Sequence, residues 1–238
     1  MRKWRGKRAS VRAGCGSVAC ILVLSWNLFH GRAQPAAGRP LAAEFCDALA
    51  RWSWDVALLQ EVPPWWPPRL GAATGASARM ALTSRNSCLC VRRAIASRNP
   101  DLVTANGGGC NAILVRSGPI GEHRTRELTR RPERRVMHGI ALAGAGWVVN
   151  LHASMLPPER RRADLLTAAA TALEWAAGAP LVFGGDLNST RPAMPGLRHV
   201  AGHHVDHVFT EGRAASGKPE VLDAGALSDH SPLRVALK

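Results

Sequence analysis

Six apolar stretches of the chain end on, or carry, side chains that can hold a cation or move a proton. LVLSWN ends at Asn27, VALLQE at Glu61 and WVVNLH at His152; LVFGGDLN ends at Asp186 and Asn188. HHVDHVF carries Asp206, and LSDHSPL presents Asp229 and His230. Taken singly, each has a structural explanation: a turn residue, an acid bonded to its own backbone, a satisfied core histidine. Taken together they are complementary. A hard divalent cation takes oxygen ligands, which the carboxylates of Glu61 and Asp229 and the amide of Asn27 can supply. A histidine held by a carboxylate can deprotonate water, which suits His230 with Asp206. Asn188 and His152 can donate to charge developing on phosphorus. Asp186 can accept a proton, bind metal or orient the water. This is the equipment of metal-assisted phosphoester hydrolysis.

Such residues need rigid strand ends to hold them. The sequence predicts a buried strand over 17–26, then a helix face at Leu41, Phe45, Leu49 and Trp52. WDVALLQEV, NSCLCVRRA and CNAILVRSG read as strands, with the Gly- and Asn-rich RNPDLVTANGGG as a loop. PPWWPPRLG reads as irregular, because proline interrupts regular structure. RRVMHGIALAG and GWVVNLHAS form a hairpin pattern, and PPERRRADLLTAAATALEWAAG is a helix with proline at its start and Gly178 after it. PLVFGGD, VDHVFTE and SPLRVALK complete the strands. Strands mixed with helices indicate a layered α/β domain over 17–238.

The 238 residues carry a net charge of +14, which favours polyanionic partners without naming one. Six of the positive charges fall in the first twelve residues, so 1–16 reads as a solvated, disordered basic tail. The six cysteines form no CxxC pair, and Cys88 and Cys90 would share one face of a strand. They read as buried reduced thiols, which suits a cytoplasmic monomer. The apolar run after the basic tail is short and lacks a cleavage site, and no stretch is long enough for a transmembrane segment. HHVDH offers zinc-ligand types at His203, His204 and His207 with Asp206. Alternate strand residues face opposite ways, which assigns Asp206 to His230 instead.

At these positions the sequence resembles the endonuclease/exonuclease/phosphatase superfamily, which includes deoxyribonuclease I, exonuclease III-type repair nucleases, neutral sphingomyelinases and inositol polyphosphate 5-phosphatases. SWN 25–27, LLQE 58–61, NLHAS 150–154, GGDLNST 184–190, VDHVF 205–209 and LSDHSPL 227–233 follow the superfamily's motif order. The resemblance implies a four-layer sandwich, two mixed β-sheets packed face to face with helices outside. It implies a Mg²⁺-dependent hydrolase, with Mn²⁺ as the alternative ion. Asn27, Glu61 and Asp229 match the metal positions, and Asp186 and Asn188 match the pair that orients the nucleophile and contacts phosphate. Asp206 and His230 match the carboxylate–histidine pair, and His152 matches a strand histidine of deoxyribonuclease I and the sphingomyelinases. Asn111 and Arg135 are further candidates for the cleft.

There are departures. WNLFHGR stands where exonuclease III-type enzymes resemble WNxNGxR, and the chain has no tyrosine, which argues against abasic-site repair. The first expectation is cleavage of nucleic-acid phosphodiesters by an endonuclease or phosphodiesterase. The second is hydrolysis of a phospholipid or small phosphorylated metabolite. The third is a catalytically inactive nucleic-acid-binding module, against which stand the intact Glu61, Asp186, Asp206 and His230. PPWWPP could stack bases, touch a membrane or cap the core.

Overall fold

The computed structural model describes residues 20–106 and 108–238, the side chains of 104–106 excepted; the basic tail lies outside the described residues. In chain order the elements are β1 (Ile21–Asn27), α1 (Ala42–Arg51), β2 (Val56–Val62), α2 (Pro67–Thr74), β3 (Ser77–Leu82) and α3 (Leu89–Ala96). Then come β4 (Cys110–Val115), β5 (Ile120–Thr129), β6 (Arg135–Leu142), β7 (Gly146–His152) and α4 (Pro158–Ala176). The chain ends with β8 (Leu181–Asp186), β9 (Arg198–His203), β10 (Asp206–Glu211), β11 (Glu220–Val221) and β12 (Leu233–Leu237).

The strands form two six-stranded sheets, ordered β11-β12-β1-β2-β4-β3 and β5-β6-β7-β8-β10-β9. Each has one parallel pair at its centre, β1–β2 and β7–β8, among antiparallel neighbours. The apolar runs are continuous because these strands are buried on both faces. Alternation then sorts their side chains into separate cores. Val23, Val56, Leu58, Ile113, Val148, Val182, Val208 and Val235 fill the space between the sheets. Leu24, Trp26, Ala57 and Leu59 turn outward to Phe45 and Leu49 of α1 and Leu70 of α2. Val149, Leu151 and Phe183 turn outward on the other side, to Leu165, Ala168 and Ala172 of α4. The result is the four-layer sandwich.

Several local expectations are corrected. NSCLCVRRA is not a strand: α3 begins at Leu89, none of its side chains is buried, and its Arg and Ala residues suit a helix. Cys88 therefore lies at a helix start in a left-handed conformation, and Cys20, Cys88 and Cys90 are exposed free thiols, while Cys46 and Cys110 are buried. PPWWPPRLG is half regular, since Pro67 opens α2 where a missing N–H costs nothing. Part of the expected loop, Pro100–Asn106, is a kinked 3-10 turn. The expected first strand starts at Ile21, not 17, and residues 17–19 lie outside the described set.

Candidate active site

The chemistry-bearing residues meet at one edge of the sandwich because the strand registers align their ends. His152 on β7 pairs with Asp186 on β8, and Asp186 pairs with Asp206 on β10. Across the sandwich, Asn27 on β1 pairs with Gln60, beside Glu61, on β2. The two glycines before Asp186 let β8 pass this closely. A Cβ on Gly185, whose φ is 136°, would lie 2.0 Å from the Leu151 carbonyl oxygen. One on Gly184 would lie 2.8 Å from Leu58 Cδ1.

Asp186 is the hub. Its Oδ2 accepts a hydrogen bond from Asn27 Nδ2 at 3.0 Å and its Oδ1 one from the Asn188 backbone N–H at 2.9 Å. His152 Nε2 lies 3.5 Å and His230 Nε2 3.9 Å from Oδ2. His230 Nδ1 donates to Asp206 Oδ2 at 2.7 Å, so the carboxylate–histidine pair is formed. Asp229 Oδ1 is 4.0 Å from His230 Nε2. Glu61, left-handed at φ 51°, has its Oε1 3.8 Å from His152 Nδ1. Asn188, also left-handed, donates its Nδ2 to the Ala153 carbonyl at 2.9 Å.

Burial and crowded charge shift the titrations. Burial, with the charges of Asp186 and Asp229, raises Glu61 to about 7. Burial likewise raises Asp186, against the pull of His230 and the Asn27 hydrogen bond. Burial opposes protonation of His230, yet the bond and charge of Asp206, with Asp186 and Asp229, raise it to about 9. Asp206 is lifted by burial to about 6. Between those values the pair is imidazolium and carboxylate. His152 is pushed well below its ordinary value by burial and by the positive charge of Arg135, so it is neutral.

Sequence reasoning missed His30. Its Nε2 lies 3.1 Å from Glu61 Oε2, and burial plus nearby arginines lower it to about 4. Phe29, His30 and Gly31 are all left-handed, a tight turn that brings the ring back under the strand end. Trp66 packs over Gly31 so closely that a Cβ there would be 2.4 Å from Cη2. The only signal was its place between the SWN motif and that glycine. Arg135 is buried, pairs with Glu133, and lines a cavity of about 70 Å³ with His30, Glu61, Arg85 and His152. Asn111 is fully buried: its Nδ2 donates to the Val136 carbonyl at 2.9 Å and its Oδ1 has no hydrogen-bond partner among the described residues.

Other letters of the motifs prove to be fasteners. Trp26 Nε1 donates to the His230 carbonyl at 2.9 Å, and Ser228 Oγ to the Asn27 carbonyl at 2.7 Å, tying the closing loop to β1. Gln60 Nε2 donates to Asn150 Oδ1 at 2.8 Å, and Asn150 Nδ2 donates to the carbonyls of Leu59 and Ala112, clamping the sheets beneath the site. The HHVDH residues disperse. Asp206 turns to His230, while His207 donates to the Ser189 carbonyl at 2.8 Å and faces His199. His203 rests edge-on against His204.

Among the described residues no three His, Cys, Asp or Glu side chains close to metal-ligating distance. The donor set nevertheless suits a hard cation. Glu61, Asp186 and Asp229 converge closely enough to raise Glu61, and all offer oxygen. Asn27 Oδ1 accepts the Phe29 N–H at 2.9 Å and keeps a second lone pair.

The model of the Endonuclease/Exonuclease/phosphatase family matches residues 24–230. The chain belongs to the endonuclease/exonuclease/phosphatase family. No functionally curated protein matches it. Solved members share its fold at low identity. The endonuclease/exonuclease/phosphatase from Beutenbergia cavernae is 20% identical, with a TM-score of 0.69 over 92% of this chain and 71% of that one. The Bacteroides thetaiotaomicron mannosyl-6-phosphatase is 15% identical, with a TM-score of 0.66 over 92% and 99%. D. rerio TDP2, complexed with a single-strand DNA product, is 15% identical, with a TM-score of 0.67 over 92% and 99%. Members of this family are hydrolases acting on phosphoesters.

Proposed function

We propose that this family member is a divalent-metal-dependent phosphoester hydrolase that cleaves nucleic-acid phosphodiesters. The observation that carries the reading is the Asp186 carboxylate, reached by Asn27, Asn188, His152 and His230 at the meeting point of five strand ends. Glu61 and Asp229, with Asn27, are the residues to hold the cation. When bound there, a divalent ion neutralises phosphate charge. Asp186, raised by burial and oriented by two hydrogen bonds, takes the proton of the attacking water. His230, steadied by its 2.7 Å bond to Asp206, presents its Nε2 toward Asp186 and the phosphate position. Asn188 and neutral His152 complete the donors.

The substrate half of the proposal rests on charge. Residues 62–100 carry six arginines and no Asp or Glu, and Arg69, Arg85 and Arg93 among them line the cavities at and beside the site. The same fold serves a single-strand DNA product in TDP2 and a sugar phosphate in the mannosyl-6-phosphatase. An arginine-rich segment without acids of its own suits the longer polyanion. The test is incubation with supercoiled plasmid and with bis-p-nitrophenyl phosphate, with Mg²⁺, Mn²⁺ or EDTA, beside Asp186→Ala. Metal-dependent nicking lost in the variant is the expected result. Cleavage of the small ester with intact plasmid moves the substrate to a lipid or metabolite. Silence on both overturns the hydrolase reading.

A further inference from the structure

A second cavity opens beside the catalytic cluster. Its volume is about 330 Å³, and its walls include His30, Leu41, Trp65, Trp66, Arg69 and Arg93. His30 is common to this cavity and to the small one at Glu61, so the two spaces adjoin. The tryptophans come from the PPWWPP stretch, and the structure gives them different work. Trp66 is buried, its ring centroid 5.4 Å from that of Phe45 and its edge over Gly31, so it caps the core. Trp65 is only partly buried, packs on the core at its edge, and borders this cavity and a more apolar one of about 240 Å³ on its far side. Arg93 of α3 borders both cavities as well.

We propose that this cavity is a stacking subsite for a nucleobase carried by the phosphoester bound at Asp186. The proposal rests on the phosphodiesterase reading and names the group next to the phosphate. The chemistry of the wall narrows the occupant. Trp65 brings an aromatic ring to the lining, and a guanidinium stacks on a planar ring and donates to its carbonyl edges. No Asp or Glu is among the residues that line this cavity, so none at its wall repels base oxygens or phosphate. A sugar would find only His30, Ser97 and the two arginines to bond in a lining otherwise of Leu41, tryptophans, prolines and alanines, and an acyl chain would desolvate Arg69 and Arg93 without pairing them.

The test compares thymidine 5′-(p-nitrophenyl phosphate) with methyl p-nitrophenyl phosphate, two diesters sharing a leaving group and differing in the base-bearing side. Wild type is expected to show a higher kcat/KM for the thymidine ester, chiefly through KM. Trp65→Ala and Arg93→Ala are each expected to cut that preference about tenfold. Trp65→Phe retains most of it, and Arg124→Ala on distant β5 leaves it as in wild type. Equal kcat/KM for the two esters in wild type overturns the subsite. So does a preference for phosphatidylglycerol vesicles, measured by flotation, that the same variants abolish. Binding of thymidine 5′-monophosphate by calorimetry separates this proposal from the catalytic one. Affinity lost in Trp65→Ala upholds the subsite even where neither ester is cleaved, and no binding with normal ester turnover refutes it alone.

Discussion

Asp186 and His230 sit 3.9 Å apart, and their roles are separable by substitution. Asp186→Asn removes the proton acceptor while keeping an oxygen for the Asn188 N–H. It is expected to lower kcat about 10³-fold. It relieves the carboxylate crowding on Glu61 but sets an amide NH2 against Asn27 Nδ2, so the metal-free variant should melt within a few degrees of wild type; a large loss of Tm would mean that Asp186 is structural. His230 makes a pH prediction. Its folded value, about 9, lies above the unfolded 6.5, so its stabilisation is complete below about pH 6.5 and lost as pH rises through about 9. A shift of that size corresponds to on the order of 3 kcal/mol. Glu61, raised to about 7, acts in the same direction lower on the scale. His30 and His138, held down to about 4 and about 3 by burial, withdraw stability as pH falls below about 6.5. Urea melts of metal-free protein should therefore show a maximum near neutrality, with a decline toward about pH 9 that His230→Asn flattens.

At the scale of elements, the site depends on strands brought closer than side chains normally permit. Gly185→Ala places a methyl against the Leu151 carbonyl at a φ that favours glycine. The expected cost is on the order of 3 kcal/mol or more, read as a lowered urea midpoint with activity lost in parallel. The Gln60–Asn150 clamp is a milder case. Asn150→Ala removes its bonds to Gln60 Nε2 and to the Leu59 and Ala112 carbonyls, leaving Gln60 only the Leu58 carbonyl, and should cost about 2 kcal/mol. Its surviving activity per folded molecule measures how far the clamp positions Glu61. Element position also explains which strands the sequence hid. β3, β5, β9 and β11 are the four sheet edges, with exposed, polar or short sequences such as IGEHRTRELT. The inner strands, buried on both faces, carry the apolar runs that made them readable.

At the scale of the whole molecule, the charge pattern and the cation are linked. The carboxylates of Glu61, Asp186 and Asp229 repel one another without a cation, so a divalent ion that binds only the folded state should raise Tm with its concentration. Glu61→Gln is expected to weaken that response in a Mg²⁺ or Mn²⁺ titration. The arginine-rich segment of residues 62–100 predicts DNA binding that weakens steeply with salt, as phosphate contacts release counterions. A salt-independent affinity would sink the polyanion reading.

The sequence by itself determined the layered fold, because double-sided burial writes itself as apolar runs. It also singled out the candidate site residues, because acids, amides and histidines at the ends of such runs have few structural uses in that number, and the structure brings Asn27, His152, Asp186, Asn188 and His230 together. It did not separate workers from fasteners: Gln60, Asn150, Trp26 and Ser228 share motifs with Glu61, His152, Asn27 and His230 but hold backbone. Nor did it distinguish α3 from a strand, since a short exposed segment has no buried face to impose a period. Only the tertiary structure brought His30 to Glu61, put a charge on His230 by crowding carboxylates round it, and opened a tryptophan- and arginine-walled cavity beside them. These are through-space effects between segments far apart in the chain, and no local pattern encodes a distance.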